Sequence, residues 1–206
     1  MQKLWRRLTV VFFTLALVGV GCIRATETTI DDANIDLNFG AEEETSMNGF
    51  PGILEAEQIT AKVVRIKTDK GDIVFELYNE TSPKAVSNFV SLTNDGFYNG
   101  LIFHRREEGF VIQGGDPAGN GTGGPGYTFE DELNDSYTYD RGIVAMANRG
   151  PDTNGSQFFI MLTDYPLPKQ YTIFGRVLEG MEIVDQIKVG DVMTTVSVED
   201  KVTDGT

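Results

Sequence analysis

The sequence predicts one folded domain of the α+β or mainly β class, with a sheet that closes on itself as a barrel. Three observations support this prediction. Most of the periodic apolar segments are short enough to be strands, and only two segments have the periodicity of helices. The 206 residues also include 23 glycines, a content typical of turns and close backbone approaches rather than of long helices.

The first two strands are predicted to form a hairpin. Residues 63–68 and 72–78 have the composition of strands, and Ile73, Phe75 and Leu77 occupy alternate positions in the second. Residues 69–71, Asp-Lys-Gly, have the chemistry of a tight turn between antiparallel strands.

A helix is predicted to follow the hairpin. Thr81 and Ser82 offer a hydroxyl cap, Pro83 suits the first turn, and the Asp-Gly pair at 95–96 ends the helix. Its apolar face is formed by Ala85, Val86, Phe89, Val90 and Leu92. Further short strands are predicted around residues 102–104, 111–113, 143–147, 157–161 and 171–177, and a second short helix over residues 181–187.

The N-terminus is predicted to be an export signal, residues 1–21. Lys3, Arg6 and Arg7 carry positive charge, and the 13 residues from 8 to 20 are mostly apolar. This run is too short to cross about 30 Å of hydrocarbon comfortably, and its layout is that of a signal peptide. Cys22 follows Gly21 in a segment that resembles the lipobox of bacterial lipoproteins, in which the cysteine is lipidated and becomes the mature N-terminus.

Two other interpretations of this segment stay open: an ordinary cleaved signal with Cys22 incidental, and an uncleaved anchor helix. Gly19 departs from the lipobox, which usually has Leu at that place. We favour lipidation at Cys22, because the only cysteine of the chain lies where this chemistry needs it. A membrane-anchored, extracytoplasmic lipoprotein is therefore expected.

Residues 22–60 are predicted to be the lipidated cysteine and an acidic flexible tether, and residues 61–206 the folded domain. From residue 24 to residue 60 there are nine acidic residues and one basic residue, with no periodic apolar run. Such a composition is typical of a solvated spacer.

Charge and composition exclude several classes of function. The net charge of −14 argues against nucleic-acid binding, which needs a basic surface. One cysteine allows no internal disulfide, and one histidine with one cysteine makes the usual structural zinc site implausible. No acidic cluster has the spacing of a calcium loop. We therefore expect neither a metal nor a cofactor.

Several motifs occur in order in the second half of the chain: Phe103-His104-Arg105, then G-F-V-I-Q-G-G-D at 109–116, then Met146-Ala147-Asn148, and N-G-S-Q-F-F at 154–159. Together they resemble the cyclophilins, a family of peptidyl-prolyl isomerases. The resemblance covers about two thirds of the chain, from near Val63 to near Ile187. It implies eight antiparallel strands in a closed barrel, with a short helix at each open end.

The resemblance also implies the roles of individual residues. Arg105 matches the catalytic arginine, and Gln113 matches the glutamine that holds it and hydrogen-bonds to the substrate. The implied substrate-binding residues are the apolar wall of Phe110, Val111, Phe159 and Leu167, the peptide-binding stretch of Ala147 and Asn148, and Gln157 and Tyr171. Tyr171 stands where many members have a histidine.

Two departures from the family pattern concern the surroundings of Arg105. Glu107 and Glu108 precede Gly109 where a proline commonly does, so a less rigid and more negative loop is expected there. Residues 163–169 lack the tryptophan of many eukaryotic members and are one residue shorter. His104 is interpreted as structural, and Ser156 has no second histidine that would complete a hydrolytic triad.

The resemblance implies a peptidyl-prolyl cis-trans isomerase. With the predicted export signal, this activity is expected to assist the folding of extracytoplasmic proteins. Its expected partners are proline-containing polypeptides and the membrane that carries the lipid anchor, with no nucleic acid, and the chain is expected to be a monomer. The alternative is a binding module that holds proline-containing segments or a protein partner without turning them over.

Overall fold

The computed structural model describes residues 49–202. Within them the chain forms a mainly β domain with three short helices. The elements in chain order are α1 (Ala56–Ile59), β1 (Lys62–Thr68), β2 (Gly71–Leu77), α2 (Pro83–Asn94), β3 (Arg105–Glu107), β4 (Val111–Gly114), β5 (Ile143–Met146), β6 (Phe158–Met161), β7 (Ile173–Glu179), α3 (Met181–Val184) and β8 (Thr195–Asp200).

The eight strands form one antiparallel sheet in the order β3-β4-β6-β5-β7-β2-β1-β8. The predicted strand number and antiparallel pairing are therefore confirmed. The structure does not show the predicted closed barrel, because β3 and β8 are edge strands and no ladder joins them in the described residues. The sheet is a curled half-barrel.

The two edges of the half-barrel approach each other through the segments that precede β3 and β8. Ile102 and Val192 form a single β-bridge. Phe103 N donates to Asp191 O at 2.9 Å, and Met193 N donates to Leu101 O at 2.8 Å. The predicted strand at 102–104 is thus this bridging segment, and the ladder strand β3 begins at Arg105.

Alternation along the central strands gives the sheet two apolar faces. The inner face packs against α2 in the main core, to which β5 and β6 contribute Val144, Met146, Phe158 and Ile160. The outer face carries a second cluster, built on the intervening residues Ile143, Ala145, Phe159 and Met161. The central strands are therefore covered on both faces by apolar side chains. The outer face, with the second cluster, is the one on which a binding site can form.

The predicted cap of α2 is wrong in its chemistry. Ser82 Oγ does not cap the helix and instead donates to Ile173 O at 2.6 Å. The first-turn amides of Lys84 and Ala85 donate to the two carboxylate oxygens of Glu132, each at 2.9 Å. A residue far along the chain thus satisfies the orphan donors that Ser82 was expected to satisfy.

Residues 49–60, which we name the N-terminal arm, fall inside the predicted tether but pack on the domain. Phe50 stacks on Phe129, Leu54 N donates to Ser87 Oγ at 3.0 Å, and Ile59 is buried in the main core. Helix α1 lies in this arm. The packed part of the described chain therefore includes residues 49–60, which were predicted to belong to the tether.

The predicted signal peptide, residues 1–21, and Cys22 lie outside the described residues. None of the helices within residues 49–202 has the length and hydropathy that a membrane span needs. The second predicted helix is shorter than expected, because α3 ends at Val184 rather than at residue 187.

Candidate active site

The register of the sheet places Arg105 and Gln113 in one row of side chains. Arg105 on β3 lies directly opposite Gln113 on β4, and Gln113 lies opposite Phe159 on β6. Phe159 in turn lies opposite Ala145 on β5. Because directly opposed residues of antiparallel strands share a face, this row runs from a charged group at the edge to an apolar surface at the centre.

The guanidinium of Arg105 is held by two hydrogen bonds. Nη1 donates to Gln113 Oε1 at 2.9 Å, and Nη2 donates to Glu107 Oε1 at 2.6 Å. Its Cζ also lies 6.0 Å from the centre of the Phe110 ring, within the range of a cation–π contact. The Arg105 side chain remains 42% exposed, so that it is fixed in place and still accessible to a ligand.

Gln113 is oriented by Gln157. Gln157 Nε2 donates to Gly121 O at 3.0 Å and to Gly123 O at 2.8 Å, which leaves its Oε1 as an acceptor. Gln113 Nε2 donates to that oxygen at 2.9 Å. The remaining oxygen of Gln113 therefore faces Arg105, and we name this chain from the loop carbonyls to Arg105 the glutamine relay.

The loop that supplies those carbonyls is organised by Asp116. The buried carboxylate of Asp116 accepts from the amides of Ala118 and Asn120 at 2.8 Å each, and from Gly121. Burial opposes the charged form, but these hydrogen bonds prevail and lower the pKa of Asp116. Gly123 passes so close that a Cβ there would lie 2.1 Å from Asp116 Oδ1, so this position requires glycine.

The predicted apolar residues of the site come together in the second cluster. Val111 and Phe159 are buried, and the partly exposed members of the cluster include Phe110, Ala147, Leu167 and Tyr171. Tyr171 meets Phe159 edge-on, with ring centres 5.4 Å apart. The structure thus gives Arg105 a half-buried apolar surface as its neighbour, at the places the sequence predicted.

Tyr139, within this surface, and Tyr165, beside it, were not among the predicted site residues. Tyr139 is buried, its hydroxyl donates to Tyr171 O at 2.8 Å, and it accepts from Tyr171 N at 3.1 Å, so it positions Tyr171. Tyr165 packs on Phe110 with ring centres 4.9 Å apart. No periodic pattern surrounds either residue, although tyrosines amid Gly- and Asp-containing loops are a signal that could have indicated them.

Ala147 and Asn148 follow β5 and lie between the apolar surface and a second depression. Ala147 N donates to Gln157 O at 2.9 Å. The Asn148 side chain donates to Gln170 O at 2.7 Å and accepts from Gly150 N at 3.3 Å. Its amide is thus engaged in holding loops together, and the backbone is the part of this stretch that can meet a peptide.

The second depression adjoins the relay, and we name it the side pocket. Residues between Gly121 and Thr128 line one wall, and residues between Ala147 and Gln157 line the other, together with Gln113. Gln113 and Gln157 therefore lie on the border between the side pocket and the Arg105 site. A peptide in extended conformation can contact both.

The remaining polar candidates have structural environments. Neither ring nitrogen of His104 has a hydrogen-bond partner in the described part of the chain, and burial lowers the pKa of this histidine, against a raising effect of Asp116. Ser156 is buried and donates to Gly115 O at 2.7 Å. Residues 49–202 contain no group of three or more His, Cys, Asp or Glu side chains placed to bind one metal ion.

Comparison with known proteins identifies this arrangement. The model of the family described as cyclophilin type peptidyl-prolyl cis-trans isomerase/CLD matches residues 63–204. A peptidyl-prolyl cis-trans isomerase of Helicobacter pylori is 47% identical over 148 residues, which cover 70% of this chain and 91% of that protein. Peptidyl-prolyl cis-trans isomerase B of Bacillus subtilis is 50% identical over 133 residues, 64% of this chain and 93% of that protein.

A solved structure gives the same result. The crystal structure of a cyclophilin type peptidyl-prolyl cis-trans isomerase of Cryptosporidium parvum, in the presence of the dipeptide Ala-Pro, matches with a TM-score of 0.63 and 39% identity. The match covers 66% of this chain and 98% of that one. The family match spans well over half of the sequence, and it includes Arg105 and the apolar face of the sheet. The chain therefore belongs to the cyclophilin-type peptidyl-prolyl cis-trans isomerases.

Proposed function

We propose that this chain catalyses rotation about X-Pro peptide bonds at the site formed by Arg105, the glutamine relay and the apolar surface of the second cluster. The observation that carries this proposal is the position of the Arg105 guanidinium. It is held by Gln113 at 2.9 Å, at the rim of a half-buried apolar surface, and it remains exposed to a ligand.

The reaction involves only rotation about a bond, but its barrier is high. The partial double bond of the peptide gives a rotation barrier of about 18–20 kcal/mol, and a rate increase of about 10⁵ requires roughly 7 kcal/mol of transition-state stabilisation. No bond is broken, so the reaction itself needs no nucleophile and no proton transfer.

Arg105 supplies the electrostatic part of this stabilisation. In the twisted amide the proline nitrogen regains its lone pair and becomes a hydrogen-bond acceptor. A guanidinium that is already fixed can donate to it without reorganisation, and an interaction that forms only in the twisted state raises the rate rather than the affinity. The glutamine relay provides this preorganisation.

The apolar surface supplies the positional part. A proline ring held against Val111, Phe159 and Leu167 is restrained, while the preceding carbonyl is free to swing through the twisted state. Phe110 borders both this surface and the guanidinium. Selective stabilisation of the twisted state requires that the proline ring be bound and that the preceding carbonyl be free to move.

We further propose that the chain is an extracytoplasmic lipoprotein that acts on proteins folding outside the cytoplasm, and that it works as a monomer. The apolar run before Cys22 and the acidic composition of the following segment support the export and the membrane anchor. The lipid on Cys22 would hold the domain at a membrane, where exported chains emerge unfolded.

A protease-coupled isomerase assay on a short X-Pro peptide tests the catalytic proposal. We expect isomerisation clearly faster than the uncatalysed reaction, which takes roughly 10–100 s. The alternative is a binding module, and the ion pair between Glu107 and Arg105 is the feature that favours it, since it partly neutralises the guanidinium. A peptide that binds in an NMR titration without any acceleration of exchange would establish that alternative.

A further inference from the structure

We propose that Phe50, in the N-terminal arm, supports the peptide-binding surface from outside the site. In this proposal Phe50 supports one wall of the side pocket, and so sets how tightly the pocket holds the residues that flank the X-Pro pair. The inference rests on the proposed isomerase site and extends it to residues that precede Val63, where the family match begins.

The ring of Phe50 contacts Tyr127, which belongs to the wall at 121–128, and Phe129, which directly follows that wall. It stacks on Phe129 with ring centres 5.1 Å apart and an angle of 22° between the planes. It meets Tyr127 edge-on at 6.2 Å and 66°. Both geometries are stabilising beyond the area that they bury. Tyr127 itself lines the side pocket, so one contact separates the arm from a bound peptide.

Phe129 is the residue at which the two walls of the side pocket are joined. Its amide donates to Asn154 O at 3.0 Å, and Asn154 N donates to Phe129 O at 3.2 Å. This isolated β-bridge joins the end of the wall at 121–128 to the wall at 147–157. The Phe129 ring is buried, and Phe50 is packed on it. Removing the Phe50 ring therefore uncovers the junction of the walls.

Tyr127 is connected to the opposite wall through α2. Its hydroxyl donates to Asn88 Oδ1 at 2.7 Å, and Asn88 Nδ2 donates to Gly155 O at 2.8 Å. The hydroxyl end of Tyr127 is thus fixed by the helix, while its ring is supported by Phe50. Loss of the second support leaves the ring free to shift, and the width of the pocket shifts with it.

The arm is held in place along its length. Leu54 N donates to Ser87 Oγ at 3.0 Å, next to Asn88 on α2, and Ile59 is buried in the main core. At the other end Gly49 has a φ of +86°, and a Cβ there would lie 3.2 Å from Tyr127 Cδ1. These fixed points give Phe50 a defined position rather than an incidental surface contact.

The test compares Phe50→Ala with Ile53→Ala in the full chain. Ile53 belongs to the same arm but is 57% exposed, so it is the matched control. The probes are the dipeptide Ala-Pro and the tetrapeptide Ala-Ala-Pro-Phe, which adds one residue on each side of the X-Pro pair. The dissociation constant of each is measured by NMR titration, which does not depend on turnover, and cis-trans exchange is measured on the same samples.

For Phe50→Ala we expect the Kd of the tetrapeptide to rise roughly threefold to tenfold, with less than about a twofold change for Ala-Pro. The maximal exchange rate at saturation should stay within about twofold of wild type, because the relay is untouched. Phe50→Leu keeps most of the apolar area and is therefore more certain to fold. Its Kd for the tetrapeptide should lie between those of wild type and Phe50→Ala. Ile53→Ala should match wild type.

Tetrapeptide affinity equal to that of Ile53→Ala in folded Phe50→Ala and Phe50→Leu proteins would overturn the inference. An equal loss for both peptides would also overturn it, since that pattern indicates general destabilisation. Wild-type protein that binds the peptides without accelerating exchange would contradict the proposed function instead, and the affinities would still decide the role of the arm.

Discussion

The side-chain amide of Gln157 orients that of Gln113, which donates to it at 2.9 Å. Because both protons of Gln157 Nε2 are used by the carbonyls of Gly121 and Gly123, the two amides can pair in only one sense. Gln113 Oε1 is thereby presented to Arg105 at 2.9 Å. The position of the guanidinium thus depends on a loop that does not touch it.

Gln157→Leu should lower kcat/KM about tenfold, since it removes the group that fixes Gln113 and leaves Arg105 with a mobile acceptor. The effect should appear mainly in kcat. Gln186→Leu is the control, because Gln186 is exposed and its side-chain amide donates to Glu182 O on α3, outside the site. The isomerase assay on both variants, with thermal melts, measures this, and an unchanged kcat in Gln157→Leu would remove the relay from the mechanism.

Glu107→Gln tests whether the second partner of Arg105 helps or hinders. The pair is largely exposed, with side chains 42% and 51% accessible, so its contribution to stability is small. Neutralising Glu107 leaves a stronger positive field at the substrate, and kcat/KM should rise by up to about threefold at low salt.

The matched control for Glu107 is Glu108→Gln, whose carboxylate pairs with Arg106 rather than Arg105. That variant should be indistinguishable from wild type at every salt concentration. A fall of more than about tenfold in Glu107→Gln would show that the carboxylate is needed to orient the guanidinium, contrary to this account.

Asp116 should make the domain acid-sensitive. Its pKa is lowered in the folded protein, since the three loop amides outweigh the effect of burial. The folded state therefore binds fewer protons than the unfolded state near the usual aspartate pKa of about 3.9. This contribution is present above that value and is lost as the pH falls through the folded-state pKa.

Urea unfolding of wild type and Asp116→Asn measures this contribution. At pH 7 the variant should be less stable by about 2 kcal/mol, since the hydrogen bonds lose their charged acceptor. The difference should shrink below about pH 4. Asp69→Asn, at the exposed hairpin turn, should follow wild type. A difference that stays constant from pH 7 to pH 3 would contradict the role given to the carboxylate.

Cys22→Ser addresses the proposed lipid anchor. If the thiol carries the lipid, the variant should remain unprocessed or leave the detergent-extractable membrane fraction. Mass spectrometry of the N-terminus of native protein gives the direct measurement, with an acylated residue 22 expected. A mature chain that begins downstream of Cys22 without acyl groups would disprove the lipoprotein proposal and leave the isomerase proposal intact.

The sequence predicted much of the fold, because alternation and turn chemistry are local. The β1–β2 hairpin, α2 and most of the central strands lie where their apolar patterns indicated. Strand β8 was missed, although Val196 and Val198 alternate in it. Its neighbouring residues are polar, and it pairs with β1 from more than a hundred residues away, so its identity depends on tertiary pairing.

The structure brings the predicted site residues together. The contacts that hold these residues and their loops in place could not be predicted from the sequence. The carboxylate cap of α2 by Glu132, the burial of Tyr139 behind Tyr171 and the packing of Phe50 on Phe129 all join distant segments. The arm was predicted to be part of the tether because residues 24–60 taken together are acidic and have no periodic apolar run. Phe50 and Ile59 nevertheless fix it on the domain by apolar packing, and Leu54 by a hydrogen bond to Ser87, and no local pattern reveals these partners.

The central claim, that Arg105 acts on the rotating bond, is tested most directly by the activity of Arg105→Ala. We expect kcat/KM to fall by about 10²–10³, with little change in melting temperature, because the side chain is exposed and outside the core. Arg106→Ala is the control. It removes the donor to Ile187 O at 2.8 Å, so it should lower stability and retain turnover. Near-normal turnover by a folded Arg105→Ala protein would contradict the account.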